Sequence, residues 1–243
     1  MAVAIVTGAS RGLGEALART LAERGWSLVI DARDAAELAV AEGRVRDQLR
    51  PPAEVVAVPG DVASAEHRRA LVAAAQGLGG VDLVVNNASV LGHSPLPPLT
   101  EYPLDELRHA FEVNTVAPLA LVQEALPALL RAPRPRVLDV TSDASVEAYE
   151  GWGGYGSSKA ALDHLGAVLA VEHPQLLVWT VDPGDMRTAM HQEAYPGEDI
   201  SDRPLPDAVA PTLALLVESD RPSGRYRATE LAGSDQAVTA AAP

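Results

Sequence analysis

The amino-acid sequence predicts an α/β protein of one domain, a doubly wound parallel sheet with helices on both faces. Short apolar runs rich in β-branched residues alternate with longer Ala- and Leu-rich segments of helical periodicity. The short runs are apolar throughout, which is typical of strands buried on both faces. One run and one helical segment recur about every 25–30 residues, as expected for βαβ units. A length of 243 residues is ordinary for one domain of this class.

Six apolar runs are predicted as strands, and the segments between them as helices. The predicted strands, in chain order, are Ala2–Val6, Ser27–Asp31, Glu54–Val58, Asp82–Val85, Arg136–Val140 and Leu176–Val181. The predicted helices are Gly12–Arg24, Ala35–Leu49, Ala65–Gln76, Asp105–Leu130 (as two helices) and Tyr155–Glu172. Asp34 and Ser64 suit helix N-caps, and Gly25 suits the C′ position after the first helix.

Two segments depart from this alternation. Residues from about 185 to 206 are rich in Pro, Glu and Asp and lack strong periodicity, which predicts a loop or mobile lid. After Leu231 the chain is small and polar, which predicts a frayed tail. No change of composition marks a second domain, so residues 1–243 are predicted to fold as one unit.

Composition excludes several classes of function. The chain has 33 acidic and 19 basic residues, a formal net charge of −14, which argues against binding to nucleic acid or to an anionic membrane. It has no cysteine, and its six histidines show no metal-ligand spacing, so the sequence does not support a metal site. The apolar start is too short for a signal peptide and no run is long enough to span a membrane, so a cytoplasmic location is expected.

A glycine-rich turn follows the first predicted strand and opens the first helix. Residues Thr7–Gly14 read TGASRGLG. In a strand–turn–helix context one glycine permits the tight turn, another lets the backbone approach a pyrophosphate, and a third lets helix and strand pack closely. The free N–H groups and the dipole of the helix N-terminus favour a bound phosphate. This context predicts dinucleotide binding rather than a plain glycine-rich loop.

The only lysine of the chain, Lys159, stands four residues after Tyr155 at the start of a predicted helix, so the two share one helix face. Ser142 follows the fifth strand, and Asn114 lies on the preceding long helical segment. Each residue alone could have an ordinary structural role. Tyr155 could be a core aromatic and Lys159 a solvated side chain, whereas Ser142 could cap a turn and Asn114 could be a buried amide. Together they fit carbonyl reduction, because a nearby ammonium stabilises a phenolate and Ser142 can donate a hydrogen bond to a substrate oxygen.

The TGxxxGxG spacing and the Asn–Ser–Tyr–Lys set resemble the short-chain dehydrogenases/reductases, over about residues 2–230. The resemblance implies a Rossmann fold and an NAD(P)-dependent oxidoreductase. It implies that Tyr155 acts as acid and base, that Lys159 also binds the nicotinamide ribose, and that Asn114 holds a water linking Lys159 to solvent. In the family, the long helices at residues 113–130 and 155–172 pair across a two-fold axis, so a homodimer or homotetramer is expected.

The end of the second strand decides which nicotinamide cofactor is preferred. An acidic residue there accepts hydrogen bonds from a ribose 2′-hydroxyl, whereas an arginine binds a 2′-phosphate. By the family's register Ala32 stands where NAD-preferring relatives have Asp, and Arg33 and Arg11 match basic residues of NADP-preferring relatives. Asp31 is one residue too early and would point to the opposite face. NADP(H) is therefore predicted, with NAD(H) possible if the register shifts by one.

Further cofactor contacts follow from the resemblance. Asp61 and Val62 match an adenine-binding pair, although Asp61 alone could equally cap a helix. Asn87 and Ala88 belong to a segment in which Ser89 replaces the family's usual glycine. The full predicted cofactor set is Gly8, Ser10, Arg11, Gly12, Leu13, Gly14, Arg33, Asp61, Val62, Asn87, Ala88, Tyr155, Lys159, Pro183, Gly184, Met186 and Thr188.

Candidate substrate contacts are chosen by position alone. They are His93, Asp143, Trp152 and Met190. Trp152 could equally pack at a subunit interface, and His93 could be an ordinary loop histidine. The acidic lid disfavours strongly anionic substrates, which leaves a small neutral aldehyde, ketone or alcohol.

The preferred function is an NADPH-dependent carbonyl reductase or alcohol dehydrogenase. An NAD-dependent alcohol dehydrogenase of the same fold is the nearest alternative. A non-catalytic NADP-binding sensor would be expected to lack part of the Asn–Ser–Tyr–Lys set, which is complete here. The glycine spacing and the Tyr–Lys pair also count against a nucleotide-fold enzyme of another class, such as a methyltransferase.

Overall fold

Seven parallel strands form the sheet of the structure, a computed structural model that describes residues 2–232. They are β1 Val3–Val6, β2 Ser27–Ala32, β3 Val55–Pro59, β4 Leu83–Asn86, β5 Arg136–Val140, β6 Leu177–Asp182 and β7 Gly224–Arg227. Their order is β3-β2-β1-β4-β5-β6-β7. Strands β2 and β3 are added on one side of β1 and strands β4 to β7 on the other. The connections therefore leave in opposite directions at β1 and β4, which opens a crevice beyond the carboxyl ends of these two strands.

Eight α-helices of the described residues cover the sheet. They are α1 Gly12–Glu23, α2 Ala35–Arg46, α3 Ala65–Gly77, α4 Leu104–Phe111, α5 Ala117–Leu129, α6 Gly153–Glu172, α7 Ala189–Ala194 and α8 Pro206–Glu218. The predicted α/β class is confirmed, and the six predicted strands are all present with ends shifted by one residue at most. The predicted pair of helices between β4 and β5 is also confirmed.

Alternate strand residues build two hydrophobic cores, one on each face of the sheet. On β1, Ala4 and Val6 join the core beneath α1 and α8, whereas Val3 and Ile5 join the core beneath α3 and α5. All four are fully buried. The alternation follows from the two-residue period of a strand, and burial on both faces explains why the strand sequences are apolar throughout.

The three predicted capping residues are confirmed, although α2 ends at Arg46 rather than Leu49 and α6 begins at Gly153 rather than Tyr155. The Asp34 carboxylate accepts from the backbone N–H groups of Ala36 and Glu37, and the Ser64 hydroxyl accepts from that of His67. Gly25 has a φ of +84°, the left-handed conformation expected after a helix. No helix of residues 2–232 is long and apolar enough to cross a membrane.

Three elements correct the sequence prediction. Helix α7 lies inside the segment predicted as a loop, and the Thr188 hydroxyl caps it by accepting from the His191 N–H. Helix α8 was missed because prolines interrupt its pattern, yet Pro206 occupies the first turn and the helix packs against α1. Strand β7 was missed because Gly224–Arg227 is a short, charged edge strand. The predicted frayed tail lies almost wholly outside the described residues.

Candidate active site

A cavity of about 1450 Å³ lies at the carboxyl ends of the strands. It runs from the glycine turn after β1 to the start of α6 and to α7. Residues predicted to bind the cofactor line it together. They are Gly8, Ser10, Arg11, Gly12, Leu13, Arg33, Asp61, Val62, Asn87, Ala88, Tyr155, Lys159, Pro183, Gly184, Met186 and Thr188. Only Gly14 of the predicted set is not on the wall, because it packs behind the turn.

The candidate substrate residues divide into two groups. Asp143, Trp152 and Met190 line the same cavity, beside Ser142. His93 does not line it, and its backbone N–H faces the Tyr102 hydroxyl at 3.3 Å. The structure therefore gives no support to the prediction that His93 contacts the substrate.

The glycine turn uses its three glycines for two different reasons. Gly8 and Gly12 have φ values of +66° and +62°, which other residues adopt at a cost. A Cβ atom on Gly14 would lie 2.4 Å from the Gly8 carbonyl oxygen and from Asn87 Nδ2. The Asn87 amide donates to the carbonyl oxygens of Thr7 and Gly8, at 2.8 and 3.1 Å. The turn is thus held tightly against the end of β4, with its exposed side toward the cavity.

The surroundings of Asp31 support the predicted register at the end of β2. Its side chain is 1% exposed, its Oδ1 accepts from the Gly8 N–H at 2.7 Å, and its Oδ2 lies 2.9 Å from His67 Nε2. Burial raises the pKa of Asp31, and the hydrogen bonds to His67 and Gly8 oppose that rise. Asp31 therefore holds the glycine turn through Gly8, and both of its carboxylate oxygens already have partners although the residue borders the cavity.

Two arginines line the cavity near the end of β2, where the ribose of a dinucleotide is expected. Arg33 is exposed and lines the cavity directly after β2. Arg11, in the glycine turn, lies 3.8 Å from Glu37, and both side chains are at least half exposed. Solvent screens an ion pair of this kind, so Arg11 can exchange Glu37 for a phosphate at little cost.

The start of α6 brings Tyr155 and Lys159 to the cavity on one face of the helix. Lys159 is 1% exposed, and its Nζ donates to the Val140 carbonyl oxygen at 2.8 Å. The same Nζ is 5.7 Å from the centroid of the Tyr155 ring. Burial lowers the pKa of Lys159 to about 8, while Asp139 and Asp163 oppose that shift. The ammonium is therefore buried and easily deprotonated above neutral pH.

The pKa of Tyr155 moves opposite to the sequence expectation. It is raised, chiefly by burial of the phenol and also by the carboxylates of Asp143 and Asp182, while a hydrogen bond with the Ser89 side chain lowers it. Lys159 does not lower it in this arrangement, because its Nζ is turned toward a backbone carbonyl. Tyr155 is consequently a protonated phenol at neutral pH, the form that can give a proton.

Ser142 already has a partner for its proton. Its hydroxyl donates to Asp143 Oδ1 at 2.9 Å and accepts from the Ala144 N–H at 3.2 Å. Because a hydroxyl has one proton, Ser142 must leave Asp143 before it can donate to a substrate oxygen.

Asn114 lies in a π-helical turn, Glu112–Val116, between α4 and α5. Its Nδ2 donates to the Val90 carbonyl oxygen and to Ser158 Oγ at 2.9 and 3.0 Å. Its Oδ1 accepts from the Ser89 hydroxyl and the Val90 N–H at 3.0 and 2.9 Å. The side-chain amide thus joins the strand β4 loop to α6 and lies off the cavity wall. These contacts suit a positioning role, and the predicted role of Asn114 in holding a water stays a prediction.

Other residues on the cavity wall could not be recognised from the sequence. Tyr149 and Tyr195 contribute rings, and Ser89 contributes a hydroxyl to Tyr155. The sequence does mark Ser89, because it replaces the glycine that the family usually has at this position. His67 beneath the turn gave none, because its contact with Asp31 joins residues from α3 and β2 that only the tertiary structure brings together.

Asp139 is a buried carboxylate whose charge interacts with that of Lys159, and its substitution tests how burial affects the charged groups near the site. It accepts from Asn86 Nδ2 at 2.7 Å, and burial raises its pKa to about 6 although Lys159 opposes the rise. A carboxyl whose pKa is higher in the folded state contributes stability at low pH that is lost as pH rises toward that value. We therefore expect Asp139→Asn to be more stable than the wild type at pH 7, by about 1–3 kcal/mol.

The same substitution removes a negative charge near Lys159. The pKa of Lys159 then falls further, and the alkaline limb of the activity profile moves to lower pH. Urea denaturation at several pH values and kcat/KM against pH measure the two effects. Asp47→Asn, at the exposed end of α2, is the matched control. If Asp139→Asn is less stable than the wild type at pH 7, the ionised Asp139 carboxylate does not destabilise the fold as we infer.

Comparison with known proteins identifies the nearest family. A family model described as short chain dehydrogenase matches residues 2–199. An uncharacterized oxidoreductase of Staphylococcus epidermidis is 30% identical over 91% of this chain and 92% of its own length.

Solved structures agree with the family match. A short chain dehydrogenase of Shigella flexneri complexed with NADP is 26% identical, with a TM-score of 0.85 over 94% of this chain and 97% of that one. An alcohol dehydrogenase of the archaeon Thermococcus sibiricus complexed with 5-hydroxy-NADP is 30% identical, with a TM-score of 0.82 over 93% and 95% of the two chains.

Proposed function

Because the chain belongs to the short-chain dehydrogenase/reductase family and is an NAD(P)-dependent oxidoreductase, we propose that it is an NADP(H)-dependent carbonyl reductase or alcohol dehydrogenase. The substrate is a small aldehyde, ketone or alcohol. One observation carries this proposal: Ser142, Tyr155 and Lys159 line the same cavity as the glycine turn.

The residues present fit a dinucleotide phosphate. The N-terminus of α1 has no side-chain cap, so its N–H groups are free to bind a pyrophosphate. Arg33 and Arg11 suit a 2′-phosphate, and two of the related solved structures contain NADP or a derivative of it. By the family resemblance Lys159 would hold the nicotinamide ribose, and Thr188 the carboxamide. When bound, the nicotinamide supplies or accepts a hydride.

Each catalytic side chain has a separate task. In reduction, Tyr155 gives its phenolic proton to the substrate oxygen as negative charge develops there. Ser142 donates a hydrogen bond to the same oxygen once it has left Asp143. Once its Nζ has left the Val140 carbonyl oxygen, Lys159 supplies a compact positive charge that stabilises the phenolate left on Tyr155. Asn114 keeps the loop after β4 and helix α6 in register.

The proposal is tested by following NADPH oxidation with a panel of aldehydes and ketones, and NADP⁺ reduction with the matching alcohols. Turnover that depends on Tyr155 supports the proposal. Tight NADPH binding without turnover of any carbonyl would instead favour the non-catalytic sensor.

Arg33 is expected to discriminate between the two nicotinamide cofactors. Arg33→Ala removes a charge that would pair with the 2′-phosphate, so the NADPH dissociation constant rises roughly tenfold to a hundredfold. NADH has no such phosphate, and its dissociation constant changes little. Calorimetric or fluorescence titration of each cofactor measures this, with the exposed Arg50→Ala as control. Equal losses for both cofactors, or a wild type that prefers NADH, would favour the NAD-dependent alternative.

The assembly we propose is a homodimer or homotetramer. Val168 and Val171, on the outer face of α6, are 38% and 81% exposed, and Val116 before α5 is 46% exposed. Exposed apolar side chains on α6 and in the π-helical turn that leads into α5 suit burial against a second copy. Light scattering after size-exclusion chromatography measures the mass. The cytoplasmic location stays a prediction from the sequence.

A further inference from the structure

Asp143 is a carboxylate on the cavity wall, next to Ser142, without a basic partner. No basic side chain of residues 2–232 lies within 4.0 Å of it. Neighbouring carboxylates are balanced: Asp182 lies 3.9 and 3.8 Å from Arg225 and Arg227, and Glu147 is 3.1 Å from Arg227. Asp143 is therefore a negative charge directly beside Ser142 that no basic side chain of residues 2–232 balances.

Only hydroxyl and amide groups satisfy the Asp143 carboxylate. Its Oδ1 accepts from the Ser142 hydroxyl and the Ala144 N–H, at 2.9 and 2.8 Å. Its Oδ2 lies 3.0 Å from the Tyr149 hydroxyl, which is also 2.9 Å from Glu147 Oε2. Tyr149 has one proton, so it can serve only one of these two carboxylates at a time.

The negative charge of Asp143 opposes proton donation to the substrate oxygen unless a cation binds next to the carboxylate. The Ser142 hydroxyl donates to Asp143 the hydrogen bond that it must instead offer to a substrate oxygen. Its charge also raises the pKa of Tyr155, which disfavours the phenolate left after proton transfer. A positive group bound to Asp143 would weaken both effects.

A group of aromatic rings that line the same cavity suits a positive group. Trp152, Tyr195 and His191 form a row of rings, with centroids 6.0 Å apart for the first pair and 5.0 Å for the second. Aromatic faces attract ammonium groups. The His191 side chain is 10% exposed, lines the cavity, and its Nε2 is buried without a hydrogen-bond partner. Asp185 Oδ1 lies 3.8 Å from His191 Nδ1, at the edge of the same group of rings.

We propose that the preferred substrate carries an ammonium group one or two carbons from its carbonyl, and that Asp143 binds that group. This inference rests on the proposed function, and it replaces the neutral substrate expected from the sequence. The spacing follows from geometry: Ser142, which bonds the substrate oxygen, already touches Asp143. The reaction converts an amino ketone or amino aldehyde to an amino alcohol. The carbonyl carbon gains the hydride of NADPH, the oxygen gains the Tyr155 proton, and NADP⁺ is released.

Isosteric alcohols test this inference, because a methyl group replaces the ammonium with little change of shape. Oxidation by NADP⁺ is measured for 1-amino-2-propanol against 2-butanol, and for 2-amino-1-phenylethanol against 1-phenylpropan-1-ol. We expect the wild type to favour the amine in at least one pair by roughly tenfold or more in kcat/KM. In Asp143→Asn that ratio falls by a similar factor.

Two further variants separate charge from structure. Asp143→Glu keeps the carboxylate and is expected to retain a preference for the amine. Glu172→Gln removes the same charge at the exposed end of α6 and is expected to leave the ratio unchanged. A wild type that prefers the neutral alcohol in both pairs overturns the inference. Equal losses for both members of each pair in Asp143→Asn also overturn it.

Binding distinguishes failure of this inference from failure of the proposed function. If no alcohol is oxidised, calorimetry of 2-amino-1-phenylethanol with the NADP⁺-saturated protein decides between the two. Binding that Asp143→Asn abolishes supports the ammonium site even though the proposed chemistry fails. If the amine does not bind while NADP⁺ does, the ammonium site is refuted and cofactor binding stands.

Discussion

Tyr155→Phe is expected to lower kcat for carbonyl reduction by roughly 10³-fold, because it removes the one hydroxyl placed to protonate the substrate oxygen. The phenyl ring keeps its edge-to-face contact with Trp152, whose ring centroid is 5.8 Å away. The fold and the NADPH dissociation constant should therefore change little. Stopped-flow turnover and cofactor titration measure the two quantities separately.

The matched control is Tyr226→Phe, which removes a hydroxyl that donates to the Pro222 carbonyl oxygen outside the cavity. It should leave kcat unaltered. If Tyr155→Phe loses less than about tenfold, the proton comes from another group and the assignment fails.

The raised pKa of Tyr155 also fixes the direction of its pH dependence. A phenol whose pKa lies above the ordinary value stays protonated through neutral pH, so it is ready to act as an acid in reduction. Oxidation needs the phenolate, so the rate of alcohol oxidation should increase from neutral to alkaline pH while the rate of reduction does not.

Gly14→Ala is expected to weaken NADPH binding by roughly a hundredfold or more. The new Cβ would lie 2.4 Å from the Gly8 carbonyl oxygen, and backbone atoms cannot move aside as a flexible side chain can. Helix α1 must shift away from the turn, which costs about 1–3 kcal/mol of stability and displaces the N–H groups proposed to bind the pyrophosphate.

Gly43→Ala provides the control for this substitution. Gly43 lies inside α2, and a Cβ there meets no atom within 4 Å. Alanine should stabilise that helix by about 0.5–1 kcal/mol and leave NADPH binding unaltered. Thermal unfolding and NADPH titration compare the pair, and a Gly14→Ala protein with wild-type affinity would contradict the close packing of the turn.

Sequence periodicity predicted the sheet and most helices because each strand residue contributes to a core on one face or the other. It failed where local signals conflict with packing. Pro206 and Pro211 interrupt the pattern of α8, yet burial against α1 stabilises the helix. The short β7 has no apolar run because it pairs only with β6 at the sheet edge.

The sequence by itself determined the family, the glycine turn and the Tyr155–Lys159 pair, because these depend on residue types at fixed short spacings. Only the tertiary structure decided which way Asp31 faces, what occupies the Ser142 hydroxyl, and that Asp143 lacks a basic partner. These properties depend on distance and burial between residues far apart in the chain. The same physical cause reversed the expected pKa shift of Tyr155: burial and nearby carboxylates raise that pKa, while the Lys159 ammonium donates to a backbone carbonyl instead.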